Sequence, residues 1–330
     1  MKKITAAVRV LLCAGLTAVL LRGLQYVTRP VNVDHSISTI RAFHSLPENS
    51  IEVIGLGSSH IWRGLSPEKM YADYGIGCYN YGNNWQHINT TRLFLQDALK
   101  TQKPRVALVE TYNVGGILRD CDMDGEIYYT RELTPSSAKD EYLQTCFGNN
   151  PERYFSYWFP LAAFHENWKT LESSSFRGLQ SDVEYFLESM GGMQQFAEAV
   201  PVVLSDPDTF PEEELPGEVR RELDQIVGIC RENDIDIVFF TVPYEGEYKY
   251  GDAMEKYAGS TGCSYLNLFD AAEETGIDPG TDFKDPTHLN RSGAEKVSDY
   301  LSRYLKENYE LTDFRSVPGN LWEKGESLQN

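Results

Sequence analysis

The chain has 330 residues, 41% of them hydrophobic, and a formal net charge of -19. Its length suffices for one large domain with a substantial core or for two small ones. The acidic balance argues against sequence-independent binding of nucleic acid, which requires a surface rich in Lys and Arg. It also favours polar or apolar substrate contacts over a cationic site for anions.

The cysteines do not form a metal-binding pattern. The chain has six of them, and none stands in a Cys-x-x-Cys pair or in a Cys/His spacing typical of zinc. Cys13 lies in the apolar N-terminal segment, which leaves an odd number elsewhere and argues against a full disulfide framework, although one bridge stays open. We therefore expect neither a metal ion nor another cofactor.

The N-terminal segment, 1–27, has the composition of a membrane anchor. It begins with Met and two lysines and continues with mostly apolar residues as far as Leu21, interrupted by Arg9. The uninterrupted run is short for a membrane span but normal for the core of a signal peptide. No small-residue cleavage site follows, so the pattern favours an uncleaved signal anchor with Arg9 and Arg22 near the two interfaces. The lysines predict a single-pass protein of the cell membrane with the remaining chain on the extracytoplasmic side.

After a polar stretch, 28–50, which is interpreted as a linker, strands and helices alternate. The sequence predicts strands at 51–57, 78–82, 105–110, 235–242 and 264–268, and helices at 66–75, 87–100, 217–232, 252–259 and 293–308. The last helix is expected to start from the capping box at 292–295. The alternation predicts an α/β fold, with a mostly parallel five-stranded sheet covered by helices on both faces.

The alternation is interrupted at 114–215, an aromatic and acidic stretch without regular periodicity. We interpret it as a helical and loop insertion within a single domain at 51–310, because no clean linker bounds it; residues 311–330 form a tail. The aromatic run 154–159 fits either packing of the insertion or a lid that stacks on sugar rings. His165 and Trp168 are interpreted as packing residues of the insertion.

Four polar or glycine positions follow four of the predicted strands. Ser59 follows the first strand, Gly82 the second, Asn113 the third and His288 the fifth. Because ligands of parallel sheets bind at the carboxyl ends of the strands, we expect these positions to share one edge of the sheet.

Two short motifs supply the groups of an activated serine. Gly57-Ser58-Ser59 stands at a strand-to-helix turn, where backbone amides can stabilise an oxyanion. Asp285 stands three residues before His288, so that the carboxylate can hold the Nδ1 proton and leave Nε2 free as a general base. Together they form a candidate Ser-His-Asp triad. Separately, each also fits a plain structural explanation, namely a Gly/Ser turn and an Asp–His hydrogen bond that caps the last helix.

Three further polar residues near these motifs fit both a substrate contact and a structural role. They are His60, Asn84 and His87.

The motifs resemble the SGNH (GDSL-type) hydrolase superfamily, and in particular its membrane-anchored, exported branch with the teichoic-acid D-alanine transfer protein and the alginate O-acetylation proteins. The family's Gly-Asp-Ser block matches Gly57-Ser58-Ser59 with Ser58 in the Asp position, and its Asp-x-x-His block matches 285–288. The resemblance implies a flavodoxin-like three-layer α/β/α fold, Ser59 as the nucleophile, and Asp285 and His288 as the rest of the triad.

The resemblance also assigns an oxyanion hole. It implies donation by the backbone amides of Ser59 and Gly82 and by the side chain of Asn113. The family's Gly-x-Asn block falls on Thr111-Tyr112-Asn113, where the glycine is missing. The similarity covers 51–113 and 235–308 and leaves 114–215 unmatched.

The resemblance implies an exported, membrane-tethered serine esterase or O-acyltransferase. Its substrate would be ester-linked acyl groups of a cell-surface polysaccharide or glycopolymer, and a membrane acyl-donor protein would be a partner. The alternative is a non-catalytic binding or assembly protein with the same fold. A flavodoxin-like nucleotide binder is disfavoured, because no Gly-rich phosphate loop follows the first strand.

Overall fold

The computed structural model describes residues 2–123, 125–177, 185–186, 189, 191–193 and 196–323. Its centre is a five-stranded parallel sheet, whose strands in chain order are β1 (Val53–Leu56), β2 (Cys78–Asn80), β3 (Val106–Glu110), β4 (Asp236–Thr241) and β5 (Ser264–Asn267). The strand order is β2-β1-β3-β4-β5, and every neighbouring pair is parallel. The fold class predicted from the sequence is confirmed.

Helices surround the sheet, and a small antiparallel ribbon precedes the last of them. The helices are α1 (Lys2–Val27), α2 (Asp34–Ser45), α3 (Ser59–Gly64), α4 (Pro67–Tyr74), α5 (Ile88–Ala98), α6 (Gly125–Tyr129), α7 (Ser137–Phe147), α8 (Pro151–Trp158), α9 (Leu161–Phe164), α10 (Gly217–Glu232), α11 (Gly251–Thr261), α12 (Ala272–Thr275) and α13 (Arg291–Asn308). The ribbon pairs β6 (Phe283–Asp285) with β7 (His288–Leu289).

Each face of the sheet has its own apolar core, which explains why the strands are apolar throughout. In β4, Phe239 packs in the core that includes α2, α5, α10 and much of the insertion. Phe240 packs on the opposite face, in the core formed with α3, α4 and α13. Strand residues alternate between the two cores, so the sheet is held rigidly between two helical layers and fixes the positions of its carboxyl ends.

The stretch 28–50 contains a packed helix where the sequence predicted a linker. Helix α2 occupies its middle, and Ile37, Ile40 and Phe43 on this helix are almost completely buried in the core. Small polar residues of α2 are buried as well: Thr39 is 0% exposed, and its hydroxyl lies 2.7 Å from that of Tyr185. The polar composition thus reflects buried hydrogen bonds rather than a solvated segment.

Helix α1 is a continuous apolar helix at the N-terminus. Within the described part of the chain it is the one helix long and apolar enough to cross a membrane, over Ala6–Val27, with a mean hydropathy of 1.8 and none of that window buried. This helix covers the segment that the sequence predicted as a signal anchor. That it anchors the protein in a membrane, and which side of the membrane the domain occupies, stay predictions.

The insertion shares the core of the domain but also exposes large aromatic side chains. Tyr157 is 0% exposed, whereas Phe155 and Trp158 of the same helix are 60% and 59% exposed. Trp168 is 63% exposed, so its interpretation as a packing residue is wrong.

In the predicted tail, Trp322 is fully buried and packs against Phe186 and Tyr71. Residues 324–330 of that tail lie outside the described residues.

Helix α13 begins one residue after Asn290, so the predicted capping box at 292–295 is wrong. The side chain of Asn290 accepts a hydrogen bond from the Gly293 amide at 3.1 Å and caps the helix. Ser292 instead donates to Asp282 at 2.7 Å. The N-cap residue of α13 therefore lies directly after the ribbon that carries His288.

Candidate active site

Ser59 is the first residue of α3 and lies directly beyond the carboxyl end of β1. The turn that carries it starts at Gly57, whose φ of 146° lies in a region that L side chains rarely adopt. Ser58 caps the helix, and its hydroxyl accepts a hydrogen bond from the His60 amide at 3.3 Å. Strand, turn and helix therefore fix the Ser59 side chain at the edge of the sheet.

The β6–β7 ribbon brings an imidazole and a carboxylate to Ser59. The hydroxyl of Ser59 lies 2.8 Å from Nε2 of His288. Nδ1 of the same ring lies 2.8 Å and 3.1 Å from the two carboxylate oxygens of Asp285, which pairs with His288 across the ribbon. The amide of Thr287 donates to the same carboxylate at 3.0 Å. The three residues predicted as a triad thus form one hydrogen-bonded chain, although His288 lies on the ribbon rather than directly after β5.

Within this hydrogen-bonded triad, the electrostatic environment keeps His288 neutral and Asp285 ionised near neutral pH. Burial and the nearby Arg63 guanidinium lower the pKa of His288 below its ordinary value of 6.5, despite the opposing effect of Asp285. Partial burial opposes the ionisation of Asp285, but hydrogen bonds from His288 and Thr287 outweigh it and lower the pKa of the carboxyl. A neutral imidazole oriented by a carboxylate is the state that can accept a proton from Ser59.

This electrostatic arrangement predicts the acid limb of the pH–rate profile. We expect kcat/KM for an ester to fall as the pH drops through the pKa of His288, because the protonated ring cannot accept the Ser59 proton. Since that pKa is lowered, the limb should lie below pH 6.5. The change Arg63→Gln removes a nearby positive charge and should move the limb to higher pH.

A matched control is Arg105→Gln. Arg105 precedes β3 at the opposite end of the sheet and pairs with Asp236 at 3.4 Å on the surface, so its loss should leave the limb in place. A limb at or above pH 6.5, or one that does not respond to Arg63→Gln, would contradict this description of His288.

Glu110 lies beneath the turn that carries Ser59, and no sequence motif points to it. It is the last residue of the central strand β3 and is 3% exposed. Its Oε2 accepts hydrogen bonds from the hydroxyl and amide of Ser58, at 2.7 Å and 3.3 Å, and its Oε1 accepts one from the Tyr112 amide. Burial raises the pKa of Glu110 to about 7, although these donors oppose the shift. The carboxyl group ties the nucleophile turn to the middle of the sheet.

The turn leaves no room for a side chain at Gly57. A Cβ there would lie 2.8 Å from Cβ of Glu110, in addition to the positive φ. We expect Gly57→Ala to lower the free energy of unfolding by roughly 2 kcal/mol or more, measured by thermal or urea unfolding. Activity should fall as well, because the turn must shift.

The control for this change is Gly228→Ala in α10. At Gly228 an added Cβ meets nothing within 4 Å, and alanine in a helix interior should stabilise by up to about 1 kcal/mol. Equal effects at the two positions would contradict the assigned strain at Gly57.

Ser59 and His288 line a cavity of about 220 Å³. Its wall is formed by Ser58, Ser59, His60, Arg63, Asn84, Trp85, Tyr112, Asn113, Thr287 and His288. Asn113, predicted from the sequence, lies in this wall, and its side-chain amide donates to the carbonyl of Gln86 at 3.3 Å. Gly82 does not line the cavity: it is buried against the carbonyl of Gly57 and the side chain of Ile61. Its role as an oxyanion donor stays a prediction.

The three polar residues with open roles occupy different positions. Asn84 lines the cavity, whereas His87 lies 2.7 Å from a carboxylate oxygen of Glu126 and does not line it. His60 is 2% exposed, and its ring centre lies 4.2 Å from that of Tyr112, with the two rings tilted at 41°. Burial lowers the pKa of His60 to about 3, with a further contribution from His288, so this second imidazole is neutral.

Two further wall residues carry chemistry that the sequence did not reveal. Trp85 is 68% exposed and has a positive φ of 56°, a strained conformation for a bulky residue. Arg63 stands one helical turn after Ser59 and adds a cation to the wall. Neither Trp85 nor Arg63 belongs to a motif. The one sequence signal that could have pointed to Arg63 is its position four residues after Ser59, which places the two on one face of a short helix. Within the described residues, no group of three or more His, Cys, Asp or Glu is arranged to hold a metal ion.

Comparisons with known proteins identify similar structures but no similar sequences. No protein-family model and no curated protein matches the chain. A G-D-S-L-family lipolytic protein from Desulfitobacterium hafniense, so described by its name, is 11% identical, with a TM-score of 0.40 over 77% of this chain and 99% of that one. The lipase/acylhydrolase from Enterococcus faecalis is 12% identical, with a TM-score of 0.36 over 79% of this chain and 98% of its own.

A third similar structure is a protein from Bacteroides fragilis described as an acylhydrolase. It is 9% identical, with a TM-score of 0.39 over 80% of this chain and 92% of that one. At such identities and TM-scores the likeness carries no argument about activity, so the function is argued from the site.

Proposed function

We propose that this protein is an SGNH-type serine enzyme that forms an acyl-enzyme on Ser59. The observation that carries the proposal is the continuous chain from the Ser59 hydroxyl through His288 to Asp285, with both hydrogen bonds at 2.8 Å. Such a chain lacks an obvious structural purpose at the wall of an open cavity, whereas it is the arrangement needed to activate a hydroxyl nucleophile.

In the proposed reaction, Ser59 Oγ attacks the carbonyl carbon of an ester while Nε2 of His288 takes the hydroxyl proton. Asp285 orients the ring and stabilises its positive charge. The backbone amide of Ser59 and the side-chain amide of Asn113 are assigned to the oxyanion, and one such donor contributes roughly 10²–10³ in rate. His288 then gives the proton to the leaving alcohol, and the acyl group passes to water or to a second hydroxyl.

We propose a carbohydrate as the natural substrate. Trp85 supports this assignment, because its strained backbone displays an indole face beside the nucleophile, and aromatic faces pack well against sugar rings. The apolar helix α1 supports the proposal that the enzyme is tethered to a membrane and that its substrate is a surface polysaccharide or glycopolymer. Export, membership in the anchored SGNH branch and a membrane acyl-donor partner belong to the same proposal.

The fate of the acyl group can be measured directly. The purified full chain is given 4-nitrophenyl acetate with and without an oligosaccharide acceptor, and 4-nitrophenol, free acetate and acetylated sugar are quantified. We expect nitrophenol to exceed acetate when the acceptor is present, with the difference recovered as acetylated sugar. The change Trp85→Ala should lower the transferred fraction more than it lowers nitrophenol release.

Equal amounts of nitrophenol and acetate with every acceptor would restrict the activity to hydrolysis. A transferred fraction that does not respond to Trp85→Ala would remove the support that this residue gives to a carbohydrate substrate.

A further inference from the structure

Arg63 places a positive charge in the wall of the cavity, against the expectation drawn from the acidic composition. It lies four residues after Ser59 on α3, so the two side chains stand one turn apart on the same face. Both line the cavity together with His288. An ester bound at Ser59 therefore shares this cavity with the Arg63 side chain.

Aromatic rings hold the Arg63 side chain without neutralising it. The guanidinium carbon lies 4.4 Å from the ring centre of Trp62 and 5.1 Å from that of Phe196. On the same Phe196 ring, the ammonium of Lys284 lies 3.3 Å from the centre and adds a second cation. The nearby carboxylates are those of Asp285 and Glu198.

The donors of Arg63 are largely unused within the described part of the chain. Its Nη1 forms an ion pair with Asp285 at 3.6 Å, which is too long for a hydrogen bond, and the oxygens of Asp285 already accept from His288 and Thr287. Its Nε is buried and has no acceptor among the described residues. A guanidinium presents planar donors that match a carboxylate or similar oxyanion, so an arginine with open donors in a cavity wall is suited to bind one.

We propose that Arg63 forms a subsite for an anionic group of the ester substrate. The proposal rests on the serine chemistry proposed above and narrows its substrate class to esters with a negative charge in the acyl or the alcohol part. The subsite and the nucleophile belong to the same short helix, so their spacing is fixed.

The test compares charged and neutral esters in two matched pairs. One pair is the mono-4-nitrophenyl ester of glutaric acid and its methyl ester, which places the charge in the acyl part. The other is 4-acetoxybenzoate and its methyl ester, which places it in the alcohol part. For each pair the ratio of kcat/KM, charged over neutral, is measured after subtraction of the spontaneous rate.

Arg63→Gln should lower this ratio by about tenfold or more in at least one pair, the loss typical of a charge-assisted hydrogen bond. Arg63→Lys should restore part of it, and Arg105→Gln, at the far end of the sheet, should leave it unchanged. Unchanged ratios in both pairs, with all rates lowered equally, would overturn the subsite and make Arg63 a positioning residue for Asp285. If the wild-type protein hydrolyses none of the esters, the proposed function fails and the subsite with it.

A separate observation concerns the surface around the end of α1. Outside α1, five of the nine large apolar side chains exposed in the described part of the chain fall within 155–176, so they are concentrated in one segment. They are Phe155, Trp158, Trp168, Leu171 and Phe176. We call these five residues the aromatic collar.

The collar segment is bonded to the C-terminal end of α1. Asn167, next to Trp168, donates to the carbonyl of Thr28 at 2.9 Å. Arg29 donates to the carbonyls of Ser175 and Arg177, at 3.0 Å and 3.3 Å, on either side of Phe176. Trp168 and Phe176 are therefore held at the level where the apolar helix ends.

With α1 across a bilayer, that level coincides with the membrane interface. The apolar stretch Ala6–Val27 has 22 residues, which as a helix span about 33 Å and match a hydrocarbon core of about 30 Å. Tryptophan and other aromatic side chains are enriched at the boundary between hydrocarbon and water. We infer that the aromatic collar inserts into the lipid interface around α1, so that the domain rests on the bilayer.

Brominated lipids, which quench nearby indoles, provide the test in nanodiscs that carry the full chain. Of the five tryptophans, Trp62 and Trp322 are buried and Trp85 lies at the cavity, which leaves Trp158 and Trp168 in the collar. We expect bromolipids to quench part of the fluorescence, and the double change Trp158→Phe, Trp168→Phe to abolish most of that quenching. The control Trp85→Phe should keep it. Absence of quenching, or quenching that survives the double change, would overturn the inference.

Discussion

Ser59→Ala should lower kcat for ester hydrolysis by a factor on the order of 10⁶, as in serine proteases that lose the nucleophile. The reason is the geometry: the Ser59 hydroxyl lies 2.8 Å from Nε2 of His288, the proposed general base, and both residues line the cavity. The measurements are hydrolysis of 4-nitrophenyl acetate and covalent labelling with a fluorophosphonate probe. Labelling should be lost together with turnover.

The neighbouring serine provides a matched control. Ser58 is 1% exposed, and its hydroxyl donates to the buried Glu110 rather than to the His288 imidazole. Ser58→Ala should therefore slow the reaction, by loosening the turn, but retain labelling. Labelling that persists in Ser59→Ala and vanishes in Ser58→Ala would exchange the roles of the two serines. A folded wild-type protein that shows neither labelling nor turnover would favour the non-catalytic binding or assembly alternative.

Asp285→Asn should lower kcat by about 10⁴-fold, the loss that this change causes in serine-protease triads. The carboxylate now accepts the Nδ1 proton of His288, at 2.8 Å. An amide at this position can present its NH₂ group to Nδ1, which stabilises the tautomer with the proton on Nε2. That tautomer cannot accept the proton of Ser59.

The control for Asp285→Asn removes the same charge elsewhere. Asp236 lies at the start of β4, away from the cavity, and pairs with Arg105 on the surface. Asp236→Asn should change kcat by less than about twofold, and circular dichroism should show both variants folded. If Asp285→Asn stays within tenfold of wild type, Asp285 only supports the ribbon and does not orient the base.

Sheet and triad could be predicted because their signals are local. The β strands are apolar runs bounded by glycine or polar residues, and the Gly57-Ser58-Ser59 and Asp285–His288 motifs each fall within a few residues. The rule that ligands bind at the carboxyl ends of parallel strands predicts the position of Ser59, which follows β1. The ribbon that carries His288 was not foreseen, because two very short strands leave no periodic pattern.

The remaining site residues depend on contacts between distant parts of the chain. Glu110 ends an apolar strand and resembles a side chain that reaches solvent; only the fold sets it beneath Ser58. Helix α2 resembled a linker, because Thr39 and its neighbours are polar and the sequence does not show that a partner such as Tyr185 buries them. Trp85 and Arg63 acquire significance only through the cavity that they share with Ser59.

The junction between α1 and the domain determines how far the protein can reach. Residues 28–33 are not a flexible spacer: Arg29 is 4% exposed and binds both oxygens of Asp34, the first residue of α2, at 2.9 Å and 2.7 Å. With α1 in a bilayer, the cavity would then stay at a constant height above the lipid surface. The proposed polymer substrate would then be modified in a narrow zone parallel to the membrane, and its own sliding, rather than movement of the enzyme, would bring successive esters to Ser59.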